Sequence, residues 1–127
     1  MDNINSFNKL REQKMEYDQD TRYRFNGFAR NYIATATVMN FFEENGAFWI
    51  GDVIASYKPT LIKKKADYLK VVQVNLNETG GCTFTISDEI NGQLVKQDIP
   101  FTDLKENVTF WLITEGPNEV LLFPQEY

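Results

Sequence analysis

A chain of 127 residues, 43% apolar and 24% charged, has the make-up of one globular domain and is long enough to bury roughly two-thirds of its unfolded surface. Its single cysteine, Cys82, excludes an intramolecular disulfide, and the lack of histidine removes the commonest general base and metal ligand. The net charge of −5 is unevenly placed: residues 1–70 carry 11 basic and 9 acidic side chains and residues 71–127 carry 2 and 9, so a partner meets a basic end and an acidic end.

No charged leader followed by an apolar stretch opens the sequence. The longest mostly apolar run, over residues 32–42, is interrupted by Thr35, Thr37 and Asn40. The expectation is a cytoplasmic protein without membrane contact. Residues 3–20 carry Phe7, Leu10, Met15 and Tyr17 in a loose helical stripe, and Tyr23, Phe25 and Phe28 around Gly27 read as an ordered aromatic loop. Over residues 30–45, Tyr32, Ile33, Ala36, Met39 and Phe42 recur at three- and four-residue steps, which predicts a central helix stopped at Gly46. A second helix over residues 47–57 carries Trp49, Ile50, Val53, Ile54 and Tyr57 on one face, and Lys58-Pro59 stops it. Gly51 and Ala55 leave its back smooth, so a neighbour approaches closely there. Thr60 caps a short turn running to Lys65.

Beyond Asp67 the period switches to two. Strands are predicted over 72–76, 82–87, 94–99, 108–114 and 119–123. Gly80-Gly81, Asn91-Gly92 and Gly116-Pro117 form the turns, with a polar connection over 102–106. A two-residue loop at Asn91-Gly92 sets Phe84 opposite Ile99. Both faces of the strand at Val108 are apolar, so it is either central and covered twice or meets a partner, such as a second copy of the chain. The order predicts an α+β fold: two or three N-terminal helices packed on one face of a roughly five-stranded antiparallel meander. This domain spans residues 25–127, and residues 1–24 form a partly helical extension.

Three segments carry a resemblance: Phe25-Asn26-Gly27; the helix Gly46-Ala47-Phe48-Trp49-Ile50-Gly51-Asp52-Val53-Ile54-Ala55-Ser56-Tyr57-Lys58-Pro59; and Phe101-Thr102-Asp103 with the ending Leu121-Leu122-Phe123-Pro124-Gln125-Glu126-Tyr127. Together they resemble a small domain-of-unknown-function family of bacterial, mobile-element and phage proteins, over residues 25–127. Lys58 stands where that family usually has Gln, Gln125 where it has Ser, and the N-terminal segment is added. The resemblance implies a fold and a mobile-element or phage setting, and carries no catalytic role to any residue.

The chemistry-bearing candidates are few. Asp52 and Ser56, one turn apart at the margin of the Trp49 face, form a possible pocket or a capping pair. Cys82 falls on the apolar phase of a strand and reads as core. No catalytic residue, metal site or cofactor is expected: the acidic residues match no calcium loop, and Gly80-Gly81 opens a strand rather than a helix. Two binding surfaces compete. Asp88, Glu89, Asp98, Asp103 and Glu106 with Trp111 would serve a non-enzymatic protein-interaction module of a mobile element or phage. Its partner would be a host or self protein, in one form a host system inhibited by an acidic mimic. Arg22, Arg24 and Arg30 among Tyr23, Phe25, Phe28 and Tyr32, with Lys63, Lys64 and Lys65, would instead serve single-stranded nucleic acid through charge and stacking.

Overall fold

The computed structural model describes residues 22–27 and 29–127. The helix expected over residues 3–20 and the aromatic Phe28 lie outside them. The described chain opens with two short strands, β1 (Arg22–Arg24) and β2 (Tyr32–Thr35), paired antiparallel. Thr35 then turns the backbone into α1 (Ala36–Asn45): it is extended itself, and its Oγ1 accepts from the Val38 N–H at 3.3 Å, which satisfies one of the donors that a helix start leaves open. Gly46 closes α1 in the left-handed region, at φ 58°, as its place after the apolar stripe predicted. α2 (Phe48–Ser56) and α3 (Lys58–Lys63) follow, with the Lys58-Pro59 step both ending the one and beginning the other.

Five longer strands complete the chain: β3 (Leu69–Leu76), β4 (Cys82–Asp88), β5 (Gly92–Ile99), β6 (Val108–Glu115) and β7 (Asn118–Leu122), then a 3₁₀ turn over Pro124–Glu126. They form one seven-stranded sheet in the order β1-β2-β7-β6-β3-β4-β5. Every neighbouring pair is antiparallel except β2 and β7, which are parallel.

This corrects the expected architecture in three respects. The sheet is mixed and has seven strands rather than five, because Tyr32–Thr35, taken as the first turn of a helix, pairs instead with Glu119–Leu121. It is not a meander: the chain leaves edge strand β5 and returns to place β6 between β3 and β7. Among the described residues there are three helices, within the expected number, but they are short, covering 10, 9 and 6 residues, and the first begins at Ala36 rather than near Arg30. The β4–β5 register also differs. Three residues, Glu89, Ile90 and Asn91, separate the strands, Gly92 takes φ 72°, and an irregularity follows Ile86, so Phe84 faces Gln97 while Ile99 faces Cys82.

Phe42, Phe84, Phe110, Ile50, Ile54 and Leu112 are fully buried in the main core. Phe110 is its hub, with ring centroids 5.9 Å from Phe41, 5.9 Å from Phe42 and 5.2 Å from Phe123. Cys82 is buried here as expected, and burial pushes its thiol up. β6 is central, as its two apolar faces allowed. Phe110 and Leu112 enter the main core. Trp111 and Ile113 belong to a second, smaller cluster with Val120, Leu122, Ile33 and Leu69.

Candidate functional site

Two of the three segments that carried the resemblance, residues 25–27 and the helix motif, meet at α2. A Cβ on Gly51 would lie 2.7 Å from Cδ1 of Phe25, so the glycine lets that ring rest directly on the helix without tilting. The close neighbour expected at the smooth back of α2 is therefore this aromatic side chain. The contact brings Asn26 over the helix, where its Nδ2 donates to Asp52 Oδ1 at 2.9 Å while its Oδ1 accepts from the Ala29 N–H at 3.2 Å. A groove of about 330 Å³ results, lined by Asn26, Asp52, Ala55, Ser56 and Lys58 among others. Trp49, named with Asp52 and Ser56 in the sequence, is not in its lining and packs half-buried against the core. The Ser56 hydroxyl donates to its own helix, to the Val53 carbonyl at 2.6 Å. Tyr57 turns away, stacking on Phe84 and donating to Gln97 Oε1 at 2.7 Å. Lys58 donates to Asn31 Oδ1 at 2.9 Å and sits 5.8 Å above the Tyr32 ring.

The acidic candidates divide between opposite ends of the sheet. Asp88 is 8% exposed and faces inward, accepting from the Asp67 N–H at 2.7 Å, the Asn91 N–H at 2.6 Å and Asn91 Nδ2 at 2.9 Å. Glu89 is exposed beside it. Asp98, Asp103 and Glu106 are exposed around the connection from β5 to β6, over residues 100–107. That connection is pinned at three points: Thr102 N–H donates to the Gly80 carbonyl at 3.0 Å, Asn107 Oδ1 accepts from Leu76 N–H at 2.8 Å, and Leu104 is buried. Between Ile99, paired with Cys82 on β4, and the first of these pins, Phe101 stands 70% exposed, a residue that the resemblance included and the site reading passed over. Trp111 lies on the other face of the sheet, edge-on to Tyr127 at 5.4 Å.

Burial works against a charge on Asp88, but its amide donors from Asp67, Asn91 and Ile90 and the Asn91 side chain outweigh it, and the carboxyl titrates below its ordinary range. A depressed folded value means stability that is present above the unfolded pKa of about 3.9 and is lost as pH falls through the folded one. Asp88→Asn is therefore expected to cost about 1–3 kcal/mol in urea unfolding at pH 7, with the gap from wild type narrowing towards pH 3.

The basic candidates are spread out. Arg22 and Arg24 sit on edge strand β1, Arg30 is exposed just before β2, and Lys63, Lys64 and Lys65 are exposed at the end of α3. Lys64 donates to the Leu94 carbonyl at 2.8 Å. The aromatics that were to stack bases are turned inward: Phe25 is 7% and Tyr32 3% exposed. Among the described residues no group of three Asp, Glu or Cys side chains is placed to hold a metal, and no helix is long and apolar enough to cross a membrane. What the sequence reading missed altogether is a buried ion pair on the inner face of the sheet, Lys70 with Glu119 at 3.0 Å.

A mixed sheet packed with the three short helices of the described residues, with a groove at α2, defines an α+β domain. The chain belongs to a family of unknown function, DUF6876, whose model matches residues 8–127. It is also similar to a protein of unknown function from Enterococcus faecalis. That crystal structure has 20% identity and a TM-score of 0.61, covering 82% of this chain and 95% of that one, a likeness of fold. No curated protein matches the sequence.

Proposed function

We propose that the chain is a non-catalytic protein-interaction module that engages its partner through residues 98–106. The observation that carries this reading is Phe101, 70% exposed on a connection fastened on both sides, with Asp98, Asp103 and Glu106 around it. An aromatic side chain held out of the core, rimmed by charge, is the composition of a binding hot spot. The ordering cost of the loop is already met in the free protein. A non-catalytic role is supported by the engagement of the reactive groups: the Ser56 proton is committed to a backbone carbonyl, and the Cys82 thiol is buried.

The partner this surface fits is a basic protein surface. In the setting suggested by the resemblance, a phage or mobile element acting in a host cytoplasm, that describes a host protein that handles nucleic acid, met by carboxylates standing in for phosphates. The test is capture from host lysate by the wild type, by Phe101→Ser, and by the triple variant Asp98→Asn, Asp103→Asn, Glu106→Gln. A specific partner should be lost with Phe101→Ser, at about 2 kcal/mol or roughly 30-fold in affinity. Its capture by wild type should weaken with salt and in competition with DNA. Folding stability should stay within about 0.5 kcal/mol, because Phe101 makes no core contact. A partner held equally by all three proteins, at any salt concentration, contradicts the proposal.

A further inference from the structure

A cavity of about 260 Å³ opens between α3, β2 and the β6–β7 hairpin, on the inner side of the sheet. Its inner wall is the ion pair. The Lys70 ammonium is surrounded by Asp67 O at 2.8 Å, Tyr68 O at 3.1 Å, Thr114 Oγ1 at 3.1 Å and Glu119 Oε1 at 3.0 Å, more acceptors than its three protons can serve. The Thr114 hydroxyl donates a hydrogen bond to Glu119 Oε2 at 2.7 Å. Lys70 and Glu119 thus neutralise each other, and Lys70 has no proton left for a ligand.

Tyr32 differs. It is 3% exposed and lines the cavity, yet its hydroxyl hydrogen-bonds to no described residue. Burial first, and then the negative charge of Glu119, push its phenol up to about 12, so it is a proton donor at any ordinary pH. The ring is buried while the hydroxyl reaches the water of the cavity, where the acceptor of a ligand can take the place of that water. Lys65 also lines the cavity. It sits in the left-handed region at φ 53°, at the C-terminal turn of α3 where glycine would cost least, so a lysine is kept there against a backbone penalty. With Lys65 added to the neutral pair, the lining carries a net positive charge, and Leu61 and Ile62 supply an apolar side.

We propose that this cavity binds a small carboxylate with a short aliphatic tail, the Tyr32 hydroxyl donating to one carboxylate oxygen, the Lys65 ammonium pairing with the other, and Leu61 and Ile62 covering the tail. The volume suffices, since about 150 Å³ already admits a benzene-sized molecule.

The experiment is an NMR titration of the full chain with isovalerate, with isovaleramide and isoamylamine as charge-neutral and cationic isosteres. Isovalerate should give saturable shifts with a dissociation constant of about 1 mM or below, the amide should bind about tenfold more weakly, and the amine should not bind. Tyr32→Phe and Lys65→Met should each weaken isovalerate about tenfold or more, while Lys65→Arg retains it. The melting temperature of Tyr32→Phe should stay close to that of wild type, because the hydroxyl makes no bond to a described residue in the unliganded protein; this separates lost binding from lost folding. Three results would overturn the proposal: no saturable shift with isovalerate up to about 10 mM, equal binding of acid and amide, or wild-type affinity in both the Tyr32 and Lys65 variants.

Discussion

Lys70→Met is expected to remove about 3–5 kcal/mol of folding free energy in urea unfolding at neutral pH. Lys70 lies on the inner face of β3 in phase with Val72 and Val74, and its side chain is 3% exposed. Methionine fits the space but donates nothing. The carbonyls of Asp67 and Tyr68 and the Thr114 oxygen lose a donor, and the Glu119 carboxylate, 17% exposed, keeps its charge with no cation beside it. The cost is therefore that of an uncompensated buried charge, not the net worth of the pair, which is small once desolvation is counted. Adding Glu119→Leu should accordingly recover most of the loss and bring the double variant to within about 1–2 kcal/mol of wild type. If Lys70→Met alone unfolds, the folded double variant still reports the coupling. A single variant within about 1 kcal/mol of wild type would mean that the ammonium is solvated in solution.

That pair shows how far the sequence could be read. Lys70 alternates with apolar residues on β3, and Glu119 stands two residues before Leu121 on β7, so each is a charge on a buried phase. A lone buried charge is costly, and two of opposite sign on neighbouring faces imply each other. Finding them requires knowing that β6 separates β3 from β7, with Lys70 opposite Leu112 and Leu112 opposite Leu121. The strands β3 to β7 were legible because alternation is local. Their order was not, because β5 and β6 are consecutive in sequence and separated by two strands in space. A partial signal existed: Gln93, Lys96, Gln97 and Asp98 are exposed on β5, the make-up of an edge, whereas β6 is apolar on both faces, the make-up of a centre.

β2 failed for the opposite reason. Tyr32, Ile33, Ala36 and Met39 satisfy helical spacing, and only the capping role of Thr35 and a partner strand, with Ile33 opposite Val120, decide otherwise. Of the groove, the small-residue face of α2 was readable and Asn26 above Asp52 was not, since no local pattern links residues 26 apart.

The two buried glycines give a contrast that tests how the proposed interaction loop is held. Gly81→Ala is expected to cost about 2–3 kcal/mol, and Gly51→Ala only about 1 kcal/mol. A Cβ on Gly51 meets the side chain of Phe25, which can tilt, and alanine recovers about 1 kcal/mol of helix propensity in return. A Cβ on Gly81 meets backbone alone: the Ile99 carbonyl oxygen, and the Pro100 carbonyl carbon and oxygen at 2.8 Å. No rotamer relieves that contact, and Gly81 is itself fixed, its N–H donating to Asn77 Oδ1 and its carbonyl accepting from Asn77 N–H, both at 3.0 Å. The segment that must yield is the one leading into Phe101. Gly81→Ala should therefore also displace that ring and weaken partner capture in whatever fraction remains folded, an effect Gly51→Ala should not have. Urea unfolding of both variants, with capture measured at a temperature where each is folded, checks the pair. A Gly81→Ala protein within about 0.5 kcal/mol of wild type would show that the backbones at Gly81 and Pro100 are not in firm contact, and that Phe101 is not held in place from beneath.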